Sequence, residues 1–309
     1  MTTFTGFDRV TVPVADGVSL HAVVGGSGSP VVLLHGFPQT HLMWRHVAAD
    51  LAADHTVICP DLRGYGASDK PEDRDGTAYA KSTMAADIVA LARELGHDRF
   101  ALAGHDRGAL VAFRAGLDHP EAISHLAILD VVPTLDMWGV LHGVNAAVAF
   151  HLYLMAQPPG LPERMIGAAP DDFFAYFLDA WTNDAASTND PASTNDPASM
   201  NDPASIPPEV RAEYLRASRE AVPSIVADYR ASARIDIAED QASRDTGTEL
   251  RMPVTVLQQD WGAALGYDAA AVWRAWAPGL THDTVTSGHF MAEEDPATVV
   301  KALRTLLAR

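Results

Sequence analysis

The chain is poor in cysteine and in positive charge, and it contains no long apolar run. Its single cysteine, Cys59, excludes a disulfide within the chain. It sits in the apolar run "TVICP", where a buried strand thiol is the expected reading. Lys and Arg number 22 against 40 Asp and Glu, a net charge of −18, and the isoelectric point is near 4.9. That balance argues against nucleic acid or an anionic membrane as partner. No apolar run approaches membrane-spanning length. The start, "MTTFTGFDRV", shows neither the basic region nor the apolar core of a signal peptide. A cytoplasmic protein is therefore expected. What the chain does have is size and apolar content. Its 309 residues fit one large domain or two modest ones, and a hydrophobic share of 48% supplies a core.

Short apolar runs recur along it. "VVLLHG" (31–36), "TVICPD" (56–61), "FALAGHD" (100–106), "LAILD" (126–130), "VTVLQQD" (254–260) and "THDTVTS" (281–287) read as strands. Strands apolar on both faces belong to a parallel sheet covered by helices on each side. Helical patterns separate them: 80–96, which stops at Gly96; 107–120, which ends at Pro120; and 296–309. The alternation predicts an α/β fold with a doubly wound, mostly parallel sheet. Several strands end in residues capable of chemistry, namely His35, Asp61, Asp106, Asp130 and Asp260. Sites in open α/β sheets gather at those carboxyl ends.

After the strand ending at Asp130 the alternation stops. Residues 134–242 are rich in helical patterns and aromatics and read as an inserted helical cap, dividing the core into 1–133 and 243–309. Inside the cap, 182–205 holds four copies of a six-residue unit, TNDPAS with small changes. Asn, Asp, Ser and Pro favour turns over regular structure, so a solvated loop is expected there. Metal binding by its aspartates is the weaker alternative, because calcium loops need a tighter oxygen cluster.

"GHDRG" (104–108) lies between a strand and a helix, the context of a nucleophile elbow. There Asp106 would be a nucleophile, held ionised by the helix N-terminus; the competing reading is a helix N-cap. "HGFP" (35–38) follows a strand, and in hydrolases of this architecture that turn gives a backbone N–H to the oxyanion hole. The donors would be the N–H groups of Phe37 and Arg107, with His35 as a structural turn residue. "SGHF" puts His289 after the last strand, where a general base is expected. A capping or surface histidine is the plainer alternative. Asp130 and Asp260 both end core strands and are the two candidates for the acid that orients His289.

Together "HGFPQTHLMW", "DLRGYGASDKP", "LAGHDRGA", "AILDVVPT", "MAQPPGLPE", "DYRA" and "SGHFMAEE" resemble the fluoroacetate (haloacetate) dehalogenase family of the α/β-hydrolase fold. The likeness runs in order over nearly the whole chain, and single motifs are shared with epoxide hydrolases. The resemblance implies that Asp106 displaces a leaving group to form an aspartyl ester, which water activated by His289 then hydrolyses. It favours Asp130 over Asp260 as the acid. It implies halide donors at His151 and Tyr229, a pocket wall at Trp181, and a carboxylate clamp at Arg107. Two positions depart from the pattern: Leu152 replaces a halide-binding tryptophan and Leu110 replaces a second arginine. Both changes disfavour fluoride release and widen the pocket. Epoxide hydrolases usually place two tyrosines where His151 and Tyr229 fall; Tyr153 is two residues along and points elsewhere. Three functions follow in order: a hydrolase of small halogenated acids, an epoxide hydrolase with the same nucleophile, and a non-catalytic ligand-binding relative. A small molecule and water are the expected partners, and relatives of this kind are often homodimers. No cofactor or metal is required.

Overall fold

The computed structural model describes residues 4–182, 206–260 and 265–309. Eight strands form one sheet, in the order β1-β2-β4-β3-β5-β6-β7-β8. They are β1 (Phe7–Ala15), β2 (Val18–Gly26), β3 (Ser29–Leu34), β4 (His55–Pro60), β5 (Phe100–His105), β6 (Ile123–Leu129), β7 (Val254–Gln259) and β8 (Thr281–Val285). From β4 to β8 neighbouring strands are parallel, whereas β1–β2 and β2–β4 are antiparallel.

The six parallel strands are those that the apolar runs predict. The β1–β2 hairpin is an addition. β1 is a half-exposed edge strand, with a register shift between Pro13 and Ala15, so it shows no continuous apolar run. In the interior strands the side-chain period of two divides the core. Val32, Leu34, Leu102, Leu126 and Ile128 fall on one face, with α2 (Lys81–Glu94) and α3 (Arg107–Asp118). Val31, Leu33, Ala103, Ala127 and Leu129 fall on the other, with α1 (Arg45–Leu51) and the last helix. Each fully buried large apolar side chain contributes roughly 1.5–3 kcal/mol.

Between β6 and β7 the described chain is helical: α4 (Thr134–Val140), α5 (Phe150–Met155), α6 (Leu161–Ala168), α7 (Pro170–Ala180), α8 (Pro208–Glu220), α9 (Val222–Ala231), a π-helical turn (Ser232–Asp236) and α10 (Ile237–Asp245). These helices reach the carboxyl ends of the strands. The Phe37 ring packs on Phe174, Phe177 and Tyr229, and Ser218 Oγ donates to Pro38 O at 3.0 Å. Nearly all of the Asn-Asp-Pro repeat, residues 183–205, lies outside the described residues. After β7 come α11 (Ala269–Arg274), α12 (Met291–Glu294) and α13 (Pro296–Leu307). No described helix is long and apolar enough to cross a membrane.

Candidate active site

A single residue, Asp106, joins β5 to α3, with φ 49° and ψ −117°. A non-glycine residue held at positive φ costs about 1–3 kcal/mol, so its surroundings must impose it. They do so through close backbone packing. A Cβ on Gly108 would lie 2.4 Å from His35 O, and one on Gly104 2.4 Å from Gly108 O. The Asp106 carboxylate does not cap α3. Its Oδ1 instead accepts the Phe37 N–H at 2.8 Å. Its Oδ2 faces His289 Nε2 at 3.9 Å.

His289 follows β8 and is 6% exposed. Its Nδ1 lies 2.6 Å from Asp130 Oδ2, the geometry of an Nδ1–H donated to the carboxylate. Its buried Nε2 has no hydrogen-bond partner among the described residues and is the nitrogen turned toward Asp106. Burial alone would lower the His289 pKa; the hydrogen bond and charge of Asp130, then the charge of Asp106, override it and raise the pKa above the usual 6.5. Asp130 also has positive φ, 54°, and its backbone N–H donates to Leu257 O at 2.9 Å. Gln259 donates to its carboxylate from the backbone at 3.0 Å and from the side chain at 2.7 Å. Burial pushes the Asp130 pKa up, but the His289 and Gln259 contacts hold it below the carboxylate norm. Asp260, the other candidate, is exposed just past β7. His105 lies below His289, with ring centroids 4.5 Å apart and its Nε2 2.7 Å from His289 O. Burial, then the neighbouring His289, lower its pKa to about 4, so it is a neutral donor to that carbonyl.

Opposite the carboxylate stand His151, on α5, and Tyr229, on α9, with ring centroids 5.4 Å apart. Both are buried, and neither His151 Nδ1 nor Tyr229 Oη has a hydrogen-bond partner among the described residues. Burial lowers the His151 pKa to about 3, leaving a neutral ring at neutral pH with one N–H to donate. Burial first, then Asp106, push the Tyr229 hydroxyl well up, so it keeps its proton. Trp181 stands beside His151 and His289 and accepts the His289 backbone N–H at 2.9 Å. Tyr153 turns away and donates to Leu141 O at 2.7 Å.

Arg107 is placed differently from an open clamp. Its Nε donates to Asp228 Oδ2 at 3.0 Å and its Nη2 to Asp228 Oδ1 at 2.6 Å. Nη2 also reaches Ser232 Oγ at 2.6 Å, and the guanidinium lies 4.1 Å over the Tyr229 ring. Two of its three guanidinium nitrogens are thus committed to protein acceptors. The cavity beside Asp106 measures about 110 Å³. Asp106, Arg107, His151, Tyr229 and His289 line it, with Leu110, Met137, Leu141 and Leu152 as an apolar wall. The sequence reading missed Asp228, His105 and Gln259. Asp228 stands in the quoted "DYRA", but only its tyrosine was assigned a role there.

One trio among the described residues has metal-ligand spacing: His21, His41 and Asp61, with ligand atoms within 4.8 Å of one another. Asp61 Oδ1 already pairs with His41 Nδ1 at 2.8 Å, and its oxygens accept the N–H groups of His41 and Ala67 at 2.9 and 2.8 Å. These bonds account for the trio as loop scaffolding.

The arrangement brings together a carboxylate held by an N–H, an imidazole with one nitrogen fixed by an acid and the other without a partner among the described residues, and two neutral donors across a largely apolar cavity. A family model for the alpha/beta hydrolase fold matches residues 29–296. A fluoroacetate dehalogenase from a Burkholderia sp. is 37% identical over 99% of this chain and 95% of its own length. A soluble epoxide hydrolase from Corynebacterium sp. (strain C12) is 31% identical over 92% of each. Among solved structures, a Pseudomonas aeruginosa protein superposes with a TM-score of 0.86 at 37% identity, covering 99% of this chain and 96% of its own.

Proposed function

The chain belongs to the α/β-hydrolase family, and on that premise we propose that it hydrolyses the carbon–halogen bond of a small halogenated acid through an ester of Asp106. The observation that carries the reading is the Asp106 carboxylate itself. Oδ1 is tied to the Phe37 N–H at 2.8 Å, which leaves Oδ2 free to attack. An sp³ carbon accepts that oxygen in line while the halide leaves with the bonding electrons. His151 and Tyr229 donate to the departing ion, which a dry pocket would otherwise leave unsolvated.

The second step uses the other half of the site. Water gives its proton to His289 Nε2 and attacks the ester carbonyl carbon. Negative charge develops on the oxygen held by the Phe37 N–H, with the Arg107 N–H as the expected second donor. Collapse expels the hydroxy acid, which takes its proton back from His289, and Asp106 is regenerated carrying one oxygen from water. A serine at this position could not do the same, because its product would be an ether with no carbonyl to attack.

Single turnover in heavy-oxygen water tests this. The label is expected in the Asp106 peptide after the first turnover, and in the product only after several. Label appearing directly in the product, with none in Asp106, would sink the ester route.

The substrate class follows from the walls. Leu152 and Leu110 both line the cavity, so chloride and bromide should leave more readily than fluoride. One specific observation favours a second reading, an epoxide. Asp228 occupies two of the Arg107 nitrogens, which weakens carboxylate capture. Meanwhile His151 and Tyr229 are both available to protonate a ring oxygen. Halide release from chloroacetate, bromoacetate and fluoroacetate, measured beside a panel of terminal epoxides, separates the two. Leu110→Arg is expected to lower the KM for chloroacetate about tenfold, since one charge-assisted contact is worth roughly 1.5–3 kcal/mol before its desolvation cost. An unchanged KM would remove Leu110 from the carboxylate subsite.

A further inference from the structure

Behind the cavity wall lies a buried polar network that none of the steps above uses. Asp228 is fully buried and its four acceptor positions are filled. Oδ1 takes Arg107 Nη2 and the ammonium of Lys81, while Oδ2 takes Arg107 Nε and the Tyr65 hydroxyl, the last at 2.6 Å. A second buried carboxylate, Asp236, accepts the Lys81 backbone N–H at 2.8 Å and the Ser232 hydroxyl at 2.8 Å. Ser232 is the residue to which Arg107 Nη2 donates. Two cations and two carboxylates therefore sit together, and of these four only Arg107 lines the cavity.

We propose that Lys81 sets the affinity of the site for anionic substrates by balancing the carboxylates that hold Arg107. This rests on the reading of Arg107 as the substrate-facing cation. The argument is one of charge. Asp228 holds the guanidinium over Tyr229 and leaves Nη1 as its nitrogen without a protein acceptor among the described residues, on a residue that lines the cavity. Alone, that carboxylate would cancel the charge it positions, and Asp236 would overcompensate it. Asp106 lines the cavity and the fully buried Asp130 carboxylate lies behind His289, so two negative charges already stand nearby. With Lys81 present the network is neutral, so the Arg107 charge is not outweighed where the substrate meets it. Without Lys81 the network carries one net negative charge, in a buried region where screening by water and salt is weak. Lys81 is 2% exposed and does not touch the cavity, so it acts through Asp228 as a positioning residue.

The test is Lys81→Met, which preserves the side chain's length and removes its charge, with Lys81→Arg as the conservative partner. Binding of glycolate, the product expected from chloroacetate, is measured by calorimetry beside the kinetics of chloroacetate. Lys81→Met is expected to weaken glycolate binding about tenfold, equivalent to about 1.4 kcal/mol, and to raise the chloroacetate KM in proportion. The kcat should change little, and Lys81→Arg should recover most of the affinity. A thermal melt confirms that each variant is folded. Glycolate affinity equal in wild type and Lys81→Met would overturn the proposal, as would a wild type with no measurable glycolate affinity. So would loss of kcat and KM together, unrescued by arginine, which is the mark of a merely structural role. Failure of the wild type to release halide from chloroacetate while glycolate binding still follows Lys81 would instead count against the dehalogenation reading.

Discussion

A His289→Gln variant is expected to react once and then stop. The first displacement needs only the Asp106 carboxylate, the donors opposite it, and a substrate in line; no proton moves to or from His289. The second step needs a base for water, and Nε2 of His289, 3.9 Å from Asp106 Oδ2, is the nitrogen placed to serve. Glutamine fills much of the same space and accepts no proton. Steady-state turnover should fall by at least about 10³, within the range lost when a positioned general base is removed. The halide released should equal one equivalent of enzyme. Intact-mass analysis should then find the protein heavier by the substrate less its halide, with the added mass in the Asp106 peptide. The burst and the adduct together distinguish covalent catalysis from direct attack by water. If His289 activated water to attack the substrate carbon, its loss would stop the reaction before any halide left and no adduct would form. The adduct also separates the two substrate readings: from an epoxide the added mass is the whole substrate, its ring oxygen kept as a hydroxyl, whereas from a haloacid it is the carboxyalkyl group, the substrate less its halide.

The parts of this site that the sequence discloses are those built from local constraint. The turn at Asp106 is written in five consecutive residues because Gly104 and Gly108 must both lack a Cβ for it to close. Strands β3 to β7 show as apolar runs because both their faces are buried over most of their length, whereas β8 is buried only at Val285. The β1–β2 hairpin is half-solvated and leaves no such run. What the sequence conceals is pairing across long separations. Lys81 and Asp228 are 147 residues apart, and Arg107 and Asp228 are 121 apart. Nothing near any of the three marks it as a partner, so Arg107 read alone looks like a free clamp. In the fold it is a shared cation. Asp130 and Asp260 likewise each end a strand and are equivalent as sequence. They differ only once the sheet sets the ends of β6 and β7 relative to His289 beyond β8, and the positive φ of Asp130 turns its carboxylate onto His289.

That placement gives the Asp130→Asn substitution two separable effects. Asn can be accommodated with little change of shape, but it presents an amide N–H where the carboxylate accepted one. Gln259 donates its backbone N–H to Oδ1, so the asparagine oxygen is held there and its NH₂ takes the Oδ2 position, facing His289 Nδ1 and the Gln259 side-chain amide, which must turn its oxygen toward it. His289 Nδ1 must then accept, and the ring proton moves to Nε2, the nitrogen that should take a proton from water. The wrong tautomer should cost roughly 10²–10⁴ in kcat, the span associated with a positioned general base. The adduct on Asp106 should accumulate as it does in His289→Gln, though it should drain slowly. The second effect is on pH. In the wild type, burial lowers the His289 pKa, but the bond and charge of Asp130, followed by Asp106, raise it past the usual 6.5. The base works only when unprotonated, so wild-type deacylation should rise with pH through that raised value. Removing the Asp130 charge leaves burial with less to oppose it. The acid limb of the residual activity should therefore move to lower pH even as the plateau falls. A variant whose plateau drops while its limb stays where the wild type has it would show that Asp130 does not tune His289. The charge at Asp260 or elsewhere would then have to supply the raised pKa.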